Sequence, residues 1–306
     1  MRFNSCIIFF LLITLNLFGQ QKSTSDKLWI KGGLITINFS QSALSNWSSG
    51  GQSSLSELNQ INLFLNYSNK KHSWDNTLDL AYGLQRKSSE KSFKTDDKID
   101  YASKYGYRAF DHVNYSGLFT FKTQFASGFN QNSANKISDF LAPAYLGAAL
   151  GLDYNPSDDF TVLIAPFSNK TTIVNIQTLA NEGSYGVKKA ETDSYGKIIK
   201  PGNKIRSQFG GYFKFMMRKT ILENVAFQTK IDLFSDYLKK PQNIDIYWDI
   251  LFNFKINNFI SASISSSLIY DDDIKITKYN SNGVKEITGP KIQFKEILAI
   301  GISYKL

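Results

Sequence analysis

Apolar and polar side chains alternate with a period of two along most of the chain, which indicates β-strands rather than helices. In residues 74–85 one face is apolar and the opposite face is small or polar. That apolar face consists of Trp74, Leu78, Leu80, Tyr82 and Leu84. The final residues alternate as regularly, with Leu298, Ile300, Ile302, Tyr304 and Leu306 on one side. Residues 244–255 fit a strand and a helical stripe equally well, so that segment alone decides nothing.

The same alternation along the rest of the chain predicts about twelve strands. They lie near residues 28–39, 53–67, 74–86, 97–109, 113–130, 143–154, 159–167, 205–218, 222–235, 243–255, 258–270 and 293–306. Most exceed the average strand of soluble proteins, which has about 5–6 residues. A tilted strand that crosses a bilayer needs about 9–11 residues. The predicted strands are therefore long enough to span a membrane.

The connections between these strands alternate between long and short. The short ones, such as Ser68–Ser73, Asn155–Asp158 and Ile256–Asn257, consist mainly of polar or turn-forming residues. An outer-membrane barrel shows this alternation, with short periplasmic turns, long external loops and an even strand number. The sequence thus predicts an all-β, transmembrane, antiparallel up-and-down barrel with both termini on the periplasmic side. The alternative is a soluble periplasmic sandwich or lipocalin-like barrel, which the strand length and the polar second face disfavour.

The first twenty residues have the layout of a secretory signal peptide: Arg2, an apolar core from Ile7 to Phe18, then Gly19-Gln20. We therefore expect residues 1–20 to be a signal peptide and residues 21–306 to be the barrel domain. A buried N-terminal helix is the alternative. Cys6 leaves with the signal, so no disulfide is expected. The alternating last strand is typical of an outer-membrane assembly signal, because it must pair with the first strand to close the barrel.

One segment is more specific than the strand pattern, namely Phe39–Leu55 with Asn46-Trp47 and Gly50-Gly51. It resembles the opening signature of an uncharacterised family of Gram-negative, Bacteroidetes-type outer-membrane proteins, Domain of Unknown Function 3078. Weaker matching blocks are Lys94–Asp97, Ser103–Tyr107, Phe119–Gly128, Phe140–Pro143 and Asn181–Gly186. The resemblance implies an outer-membrane β-barrel. It supplies neither a substrate nor catalytic residues.

Asn46, Trp47, Gly50 and Gly51 are the candidate binding residues, and they fall in the first long loop. Trp47 is large and apolar, so we expect it to pack on the barrel wall or fold into the lumen. Asn46 can hydrogen bond to the loop backbone, and the two glycines permit positive φ. The block is either a structural anchor that narrows the mouth or a contact with a ligand or partner.

Catalytic and metal-binding candidates are few. The chain has two histidines, His72 and His112, and both fall in predicted periplasmic turns, away from the external rim where barrel lipases and proteases would need one. We therefore predict no catalytic residues, no metal site and no cofactor. Two alternatives stay open, namely a metal bound by the two histidines and a two-carboxylate mechanism, since Asp and Glu are plentiful. Asp271–Asp273 and Asp96-Asp97 are interpreted either as exposed acidic turns or, for Asp271–Asp273, as a contact with Ca²⁺ or cation-bridged lipopolysaccharide.

The longest predicted connection, Ser168–Lys204, is rich in lysine. Loops of this length are usually functional or disordered, and its ordered-looking part, Thr171–Leu179, could fold into or over a pore. A constriction loop, a docking surface for another protein and a merely solubilising segment remain open.

The formal net charge is +9, or +8 without Arg2, but the basic residues are scattered, so nucleic acid is not an expected partner.

These observations favour a non-enzymatic barrel in the outer membrane of a Gram-negative bacterium, with a narrow or loop-constricted pore. Twelve strands enclose less space than the 16–18 of clearly aqueous channels. The alternatives are a structural or accessory subunit of a larger outer-membrane complex and, more remotely, a lipid-modifying enzyme. Expected partners are outer-membrane lipid and lipopolysaccharide, the barrel-assembly machinery during insertion, and an outer-membrane protein in the accessory case.

Overall fold

The computed structural model describes residues 28–44, 53–87, 91–129, 135–157, 159–274, 277–279, 285–287 and 289–306. The predicted signal peptide at residues 1–20 lies outside the described residues. The candidate binding residues Asn46, Trp47, Gly50 and Gly51 lie outside them as well.

The described residues form a closed barrel of twelve antiparallel strands. In chain order these are β1 Trp29–Ser42, β2 Ser54–Ser68, β3 His72–Lys87, β4 Phe93–Phe110, β5 Val113–Thr123, β6 Ala144–Ser157, β7 Phe160–Ile173, β8 Ile205–Leu222, β9 Val225–Asp236, β10 Ile244–Lys255, β11 Ile260–Tyr270 and β12 Gln293–Lys305. The loops carry α1 (Gln177–Glu182), a 3₁₀ turn (Ser184–Gly186) and the short strand pairs Gly128–Phe129 with Lys136–Ser138, Glu191–Thr192 with Ile198–Lys200, and Thr277–Tyr279 with Lys285–Ile287. The predicted fold class is confirmed.

The barrel closes because the last strand pairs with the first. Each strand is antiparallel to its neighbours in sequence, and β12 returns to β1 with Ile302 opposite Ile37 and Gly301 opposite Asn38. A Cβ atom at Gly301 would lie 2.2 Å from the carbonyl oxygen of Ile37, so the seam needs a glycine at this position. Closure pairs backbone groups that would otherwise be exposed along two strand edges.

The strand register sends the apolar side chains outward. On β12, Leu298, Ile300 and Ile302 are 70%, 57% and 62% exposed, although they are among the most apolar residues of the strand. Their neighbours Ala299 and Gly301 face the interior. A soluble barrel would face water with polar residues, so an exterior of exposed aliphatic and aromatic side chains indicates a lipid environment.

Aromatic side chains gather at the barrel end that carries the short turns. The ring of Trp29 lies 5.0 Å from that of Tyr67 and 6.0 Å from that of Trp74. The same end carries the exposed residues Tyr105, Tyr107, Tyr115, Tyr154 and Tyr304. Amphipathic rings prefer the boundary between lipid and water, so this girdle marks one membrane interface.

Two strand ends differ most from those predicted. β5 ends at Thr123 rather than at residue 130, because the amides of Phe125 and Ala126 donate to the Asp97 carboxylate and turn the chain away from the sheet. β7 continues past residue 167 to Ile173, where it pairs with both β6 and β8. The predicted loop Ser168–Lys204 is therefore reduced to residues 174–204.

No helix in the described ranges has both the length and the apolar character that a membrane-spanning helix requires.

Candidate functional site

The polar faces of the strands meet in the barrel lumen and bring many charges together. The inward-facing carboxylates include Asp75, Asp79, Asp100, Asp153, Asp232, Asp245 and Asp249. The inward-facing lysines are Lys98, Lys104, Lys122, Lys170, Lys214 and Lys230. These residues come from eight different strands, and only the closed register places them in one enclosed space.

A deeply buried lumenal pair joins Lys104 of β4 to Asp153 of β6. Lys104 Nζ lies 2.6 Å from Asp153 Oδ2 and 3.8 Å from Asp75 Oδ2. Asp153 is only 1% exposed and also accepts hydrogen bonds from Asn155 and Thr161, at 2.7 and 2.9 Å. A carboxylate removed from water in this way needs all three donors to offset its lost hydration.

Towards the outer end from this pair lies a cavity of about 120 Å³, which we call the lysine chamber. Its ionisable lining residues are Lys122, Lys170, Lys214, Lys230, Asp100, Asp232, Tyr145, Tyr212 and Tyr247. Small side chains leave this space, because two of the β6 residues that line it are Gly147 and Ala149. A Cβ atom at Gly147 would approach Thr120 Oγ1 to 2.4 Å, so glycine is required for the strands to pack here.

The charges of the lysine chamber are incompletely paired. Lys122 Nζ lies 3.7 Å from Asp100 Oδ2, and Lys230 Nζ lies 3.4 Å from Asp232 Oδ2. The hydroxyl of Tyr212 donates to Asp232 at 2.6 Å. Lys214, in contrast, forms no hydrogen bond or salt bridge with any residue that the structure describes. The chamber therefore contains one cation without a direct counterion.

A second network closes the outer end of the chamber. Lys170 Nζ lies 2.8 Å from Asp245 Oδ2 and 2.7 Å from Asp271 Oδ2, and the Tyr247 hydroxyl donates to Asp271 at 3.0 Å. Burial alone would raise the pKa of the Asp271 carboxyl, but the charge of Lys170 and these hydrogen bonds lower it below its usual value. At neutral pH, Asp271 is therefore an ionised partner of Lys170.

The predicted acidic turn Asp271–Asp273 is thus largely buried within the outer mouth, which corrects its interpretation as an exposed turn. Asp271 is 3% exposed. Asp272 accepts from Lys240 and Asn243, at 3.1 and 2.7 Å, and Asp273 pairs with Arg206. All three carboxylates already have protein partners. The prediction that Asp96 lies in an exposed acidic turn is also wrong in detail, since Asp96 belongs to β4 and pairs with Lys295 at 3.2 Å.

Residues 174–204, which we call the mouth loop, fold back over the outer end of the lumen. A small apolar cluster supports the loop, and it consists of Ala142, Val174, Leu179, Ala180 and Val187. The inward-facing Arg206 donates to the carbonyl of Gly186 at 3.0 Å and pairs with Asp273, which links the mouth loop to the segment that follows β11. Gly186 has a φ of +82°, and a Cβ atom there would lie 2.8 Å from Arg206 Nη1.

Tyr185 connects the mouth loop to the neighbouring external loop, because its hydroxyl donates to the carbonyl of Ile137. Burial raises the pKa of Tyr185 to about 12, so the hydroxyl keeps its proton and remains a donor at physiological pH. The mouth loop is consequently held on two sides, by Arg206 of the barrel wall and by residue 137 of the adjacent loop. Of the interpretations left open by the sequence, this geometry favours the constriction loop.

The two histidines do not meet at a common site. His72 is the first residue of β3 rather than part of the preceding turn, and its Nδ1 lies 2.6 Å from the Tyr105 hydroxyl within the aromatic girdle. His112 lies in a turn, with its Nε2 3.3 Å from Asp111. No group of three or more metal-ligating side chains occurs within the described ranges.

The lumenal lysines were not singled out from the sequence. The available signal was a lone lysine on an otherwise small or polar strand face, as at Lys122, Lys170 and Lys214. Such residues are common on exposed strand faces of soluble proteins. Only the knowledge that this face lines an enclosed lumen gives them significance.

Residues 39–129 match the model of a family described as "Protein of unknown function (DUF3078)", which confirms the resemblance predicted from the sequence. The match does not extend to the weaker blocks Phe140–Pro143 and Asn181–Gly186. No curated protein sequence matches the chain.

Several solved structures resemble the barrel at low identity. The translocator domain of the autotransporter NalP from Neisseria meningitidis is 11% identical, with a TM-score of 0.37 and coverage of 90% of this chain and 87% of that one. An outer-membrane channel from Pseudomonas putida F1 is 9% identical, with a TM-score of 0.40 and coverage of 91% and 95%. The NanC porin is 11% identical, with a TM-score of 0.37 and coverage of 90% and 100%.

Proposed function

We propose that this protein is a narrow channel in the outer membrane of a Gram-negative bacterium, constricted by the mouth loop and by inward-facing charges. The observation that carries the proposal is the lysine chamber, an open, charge-lined space inside a closed barrel. The exposed apolar exterior and the aromatic girdle support the membrane location. The mouth loop above the chamber makes the path narrow rather than freely aqueous.

The charged lumen favours a channel rather than a barrel that has a filled interior and a purely structural role. Buried ion pairs contribute little to stability, and well-packed apolar residues of similar volume would often be at least as stabilising. A barrel with a purely structural role could therefore fill its interior with apolar side chains. Here at least thirteen lumenal positions carry charges, which suits a path for hydrated, charged solutes.

Shortening the mouth loop is expected to raise the single-channel conductance several-fold. The variant replaces residues 177–200 with a short glycine-serine linker, which can bridge the gap because the Gln177 side chain reaches the carbonyl of Gly202 at 3.0 Å. It removes α1 and the Tyr185 and Gly186 contacts that hold the loop across the mouth. Purified wild-type and variant barrels are compared in planar lipid bilayers, after heat-modifiable gel mobility has shown that both are folded.

The matched control removes residues 193–196 from the tip of the same loop, where Tyr195 is 95% exposed. This deletion should leave the conductance unchanged, since the tip makes no hydrogen bond or salt bridge across the mouth to any residue in the described ranges. If the wild-type protein and the shortened variant were both electrically silent, the channel would be wrong and the accessory-subunit alternative would gain support. Phospholipid hydrolysis by the purified barrel would instead favour the enzyme alternative.

A further inference from the structure

Lys214 is the least well-partnered charge of the lysine chamber. Its strand register places it inside the lumen, between Leu163 of β7 and Asp232 of β9. Lys122 and Lys230 line the same cavity, and the neighbouring Asp232 already pairs with Lys230. A lysine that is removed from bulk water among other lysines is costly unless an anion compensates it. Within the described part of the chain, no carboxylate lies within salt-bridge distance of its Nζ.

No carboxylate among the described lining residues is left to pair directly with Lys214. Lys170 is compensated on the mouth side by Asp245 and Asp271. The other three lysines, Lys122, Lys214 and Lys230, face two lining carboxylates, Asp100 and Asp232, each of which already pairs with one lysine.

Two further lumenal carboxylates, Asp79 and Asp249, have neutral hydrogen-bond donors as their direct partners. Asp79 accepts a hydrogen bond from Asn62 at 2.8 Å, and Asp249 accepts one from Ser267 at 2.6 Å. Neither carboxylate lines the chamber. Lys214 is therefore the lysine of the chamber that has no direct counterion among the described residues, and it lines the open cavity.

A second donor points to the same cavity. Tyr145 lines the chamber from β6, and its hydroxyl has no hydrogen-bond partner among the residues that the structure describes. The chamber thus contains an unpaired ammonium group and an unpaired hydroxyl, which is the donor set that an oxyanion accepts from. Its volume of about 120 Å³ greatly exceeds the ~10–15 Å³ that one water needs, so a small solute has room.

We propose that the lysine chamber is a binding site for a small oxyanion, a phosphate or carboxylate group, held by Lys214 and Tyr145. This inference rests on the proposed channel and names the chemical class of its solute. A divalent cation does not fit, because the lining lysines outnumber the carboxylates. A neutral solute would leave the charge of Lys214 uncompensated. An oxyanion supplies the missing counterion and accepts from both unpartnered donors.

Binding is measured by isothermal titration calorimetry on the full barrel, folded in detergent, with inorganic phosphate, acetate and calcium chloride as separate probes. Wild-type protein should bind phosphate or acetate saturably, and comparison of the two probes identifies which oxyanion is preferred. Lys214→Gln should weaken that binding by about ten-fold or more, the usual effect of losing a hydrogen bond from a charged group. Tyr145→Phe should weaken it less, and Lys214→Arg should retain it.

The matched control is Lys98→Gln. Lys98 faces the lumen from β4 and also lacks a salt bridge among the described residues, but it does not line the chamber. Its replacement should leave phosphate binding unchanged. An equal loss in both variants would overturn the proposal, because the effect would then reflect overall lumenal charge. Saturable binding of calcium alone, or of none of the three probes, would also overturn it.

The titration does not depend on conduction, so the two proposals can fail separately. A conducting barrel that binds neither phosphate nor acetate would retain the channel and eliminate the oxyanion site. A silent barrel that binds phosphate through Lys214 would retain the site and eliminate the channel. Heat-modifiable gel mobility shows that each variant is folded before it is titrated.

Discussion

Replacing Asp153 with alanine is expected to lower the free energy of unfolding by about 3 kcal/mol, because removal of one partner of a buried ion pair leaves the other uncompensated. Asp153 is 1% exposed, and its carboxylate lies 2.6 Å from Lys104 Nζ. The hydrogen bonds from Asn155 and Thr161 are lost as well. Asp75 remains 3.8 Å from Lys104, which keeps the effect at the lower end of the usual ~3–5 kcal/mol. Urea titration of the barrel in lipid vesicles measures the change.

Two further variants show whether the loss comes from the buried charge. Asp111→Ala removes a carboxylate from an exposed turn and should change stability by less than about 0.5 kcal/mol. The double variant Lys104→Met with Asp153→Leu removes both charges and should cost less than Asp153→Ala alone. If Asp153→Ala lowered the free energy of unfolding as little as Asp111→Ala, the Lys104–Asp153 pair would have to lie in freely hydrated space. The lumen would then be wider than described.

Replacing Leu298 with lysine is expected to destabilise the barrel by about 2–4 kcal/mol, which is the usual cost of a lysine on the lipid face near the bilayer midplane. Leu298 lies in the middle of β12 and is 70% exposed on the outer surface. In a soluble barrel the same change would be nearly neutral or even favourable. Vesicle-based urea titration, followed by tryptophan fluorescence and gel mobility, measures the loss.

The neighbouring Ile297 provides the matched control, since it faces the lumen opposite Ser265. Ile297→Lys adds the same side chain one residue away and should cost clearly less, because the lumen is polar. Equal losses from the two substitutions would contradict the assignment of one face to lipid and the other to the interior. A folded, monodisperse protein in detergent-free buffer, made without residues 1–20, would contradict it as well.

The constriction and the lysine chamber lie in series along the proposed path. Arg206 links the barrel wall to the mouth loop through Gly186, while Lys170 joins the chamber to Asp271 just beneath that loop. A solute that enters from outside would pass these ion pairs before it reaches Lys214. Shortening the mouth loop should therefore mainly change the conductance, whereas substitutions of Lys214 should change which solute binds.

The architecture could be read from the sequence because strand alternation is a local property. Each of the clearly alternating segments shows its own two faces, so the predicted strands near residues 74–86 and 293–306 agree closely with β3 and β12. Alternating loop lengths and the final apolar strand then predicted an up-and-down barrel, which the β1–β12 pairing confirms. The boundary at Thr123 was missed because it depends on a contact between Asp97 and the amides of residues 125 and 126.

The candidate site depended on the tertiary structure, because closure and register decide which inward residues share a level. Lys122, Lys214 and Lys230 belong to β5, β8 and β9, and nothing local to those strands indicates that they line one cavity. The same holds for the contact of Gly186 with Arg206, which turns a lysine-rich loop into a cover for the mouth. The sequence alone determined the strands, their two faces and the order of short and long connections, since each follows from neighbouring residues. Only the folded barrel decided where its unpaired charge lies, since that position depends on strands that meet across the lumen.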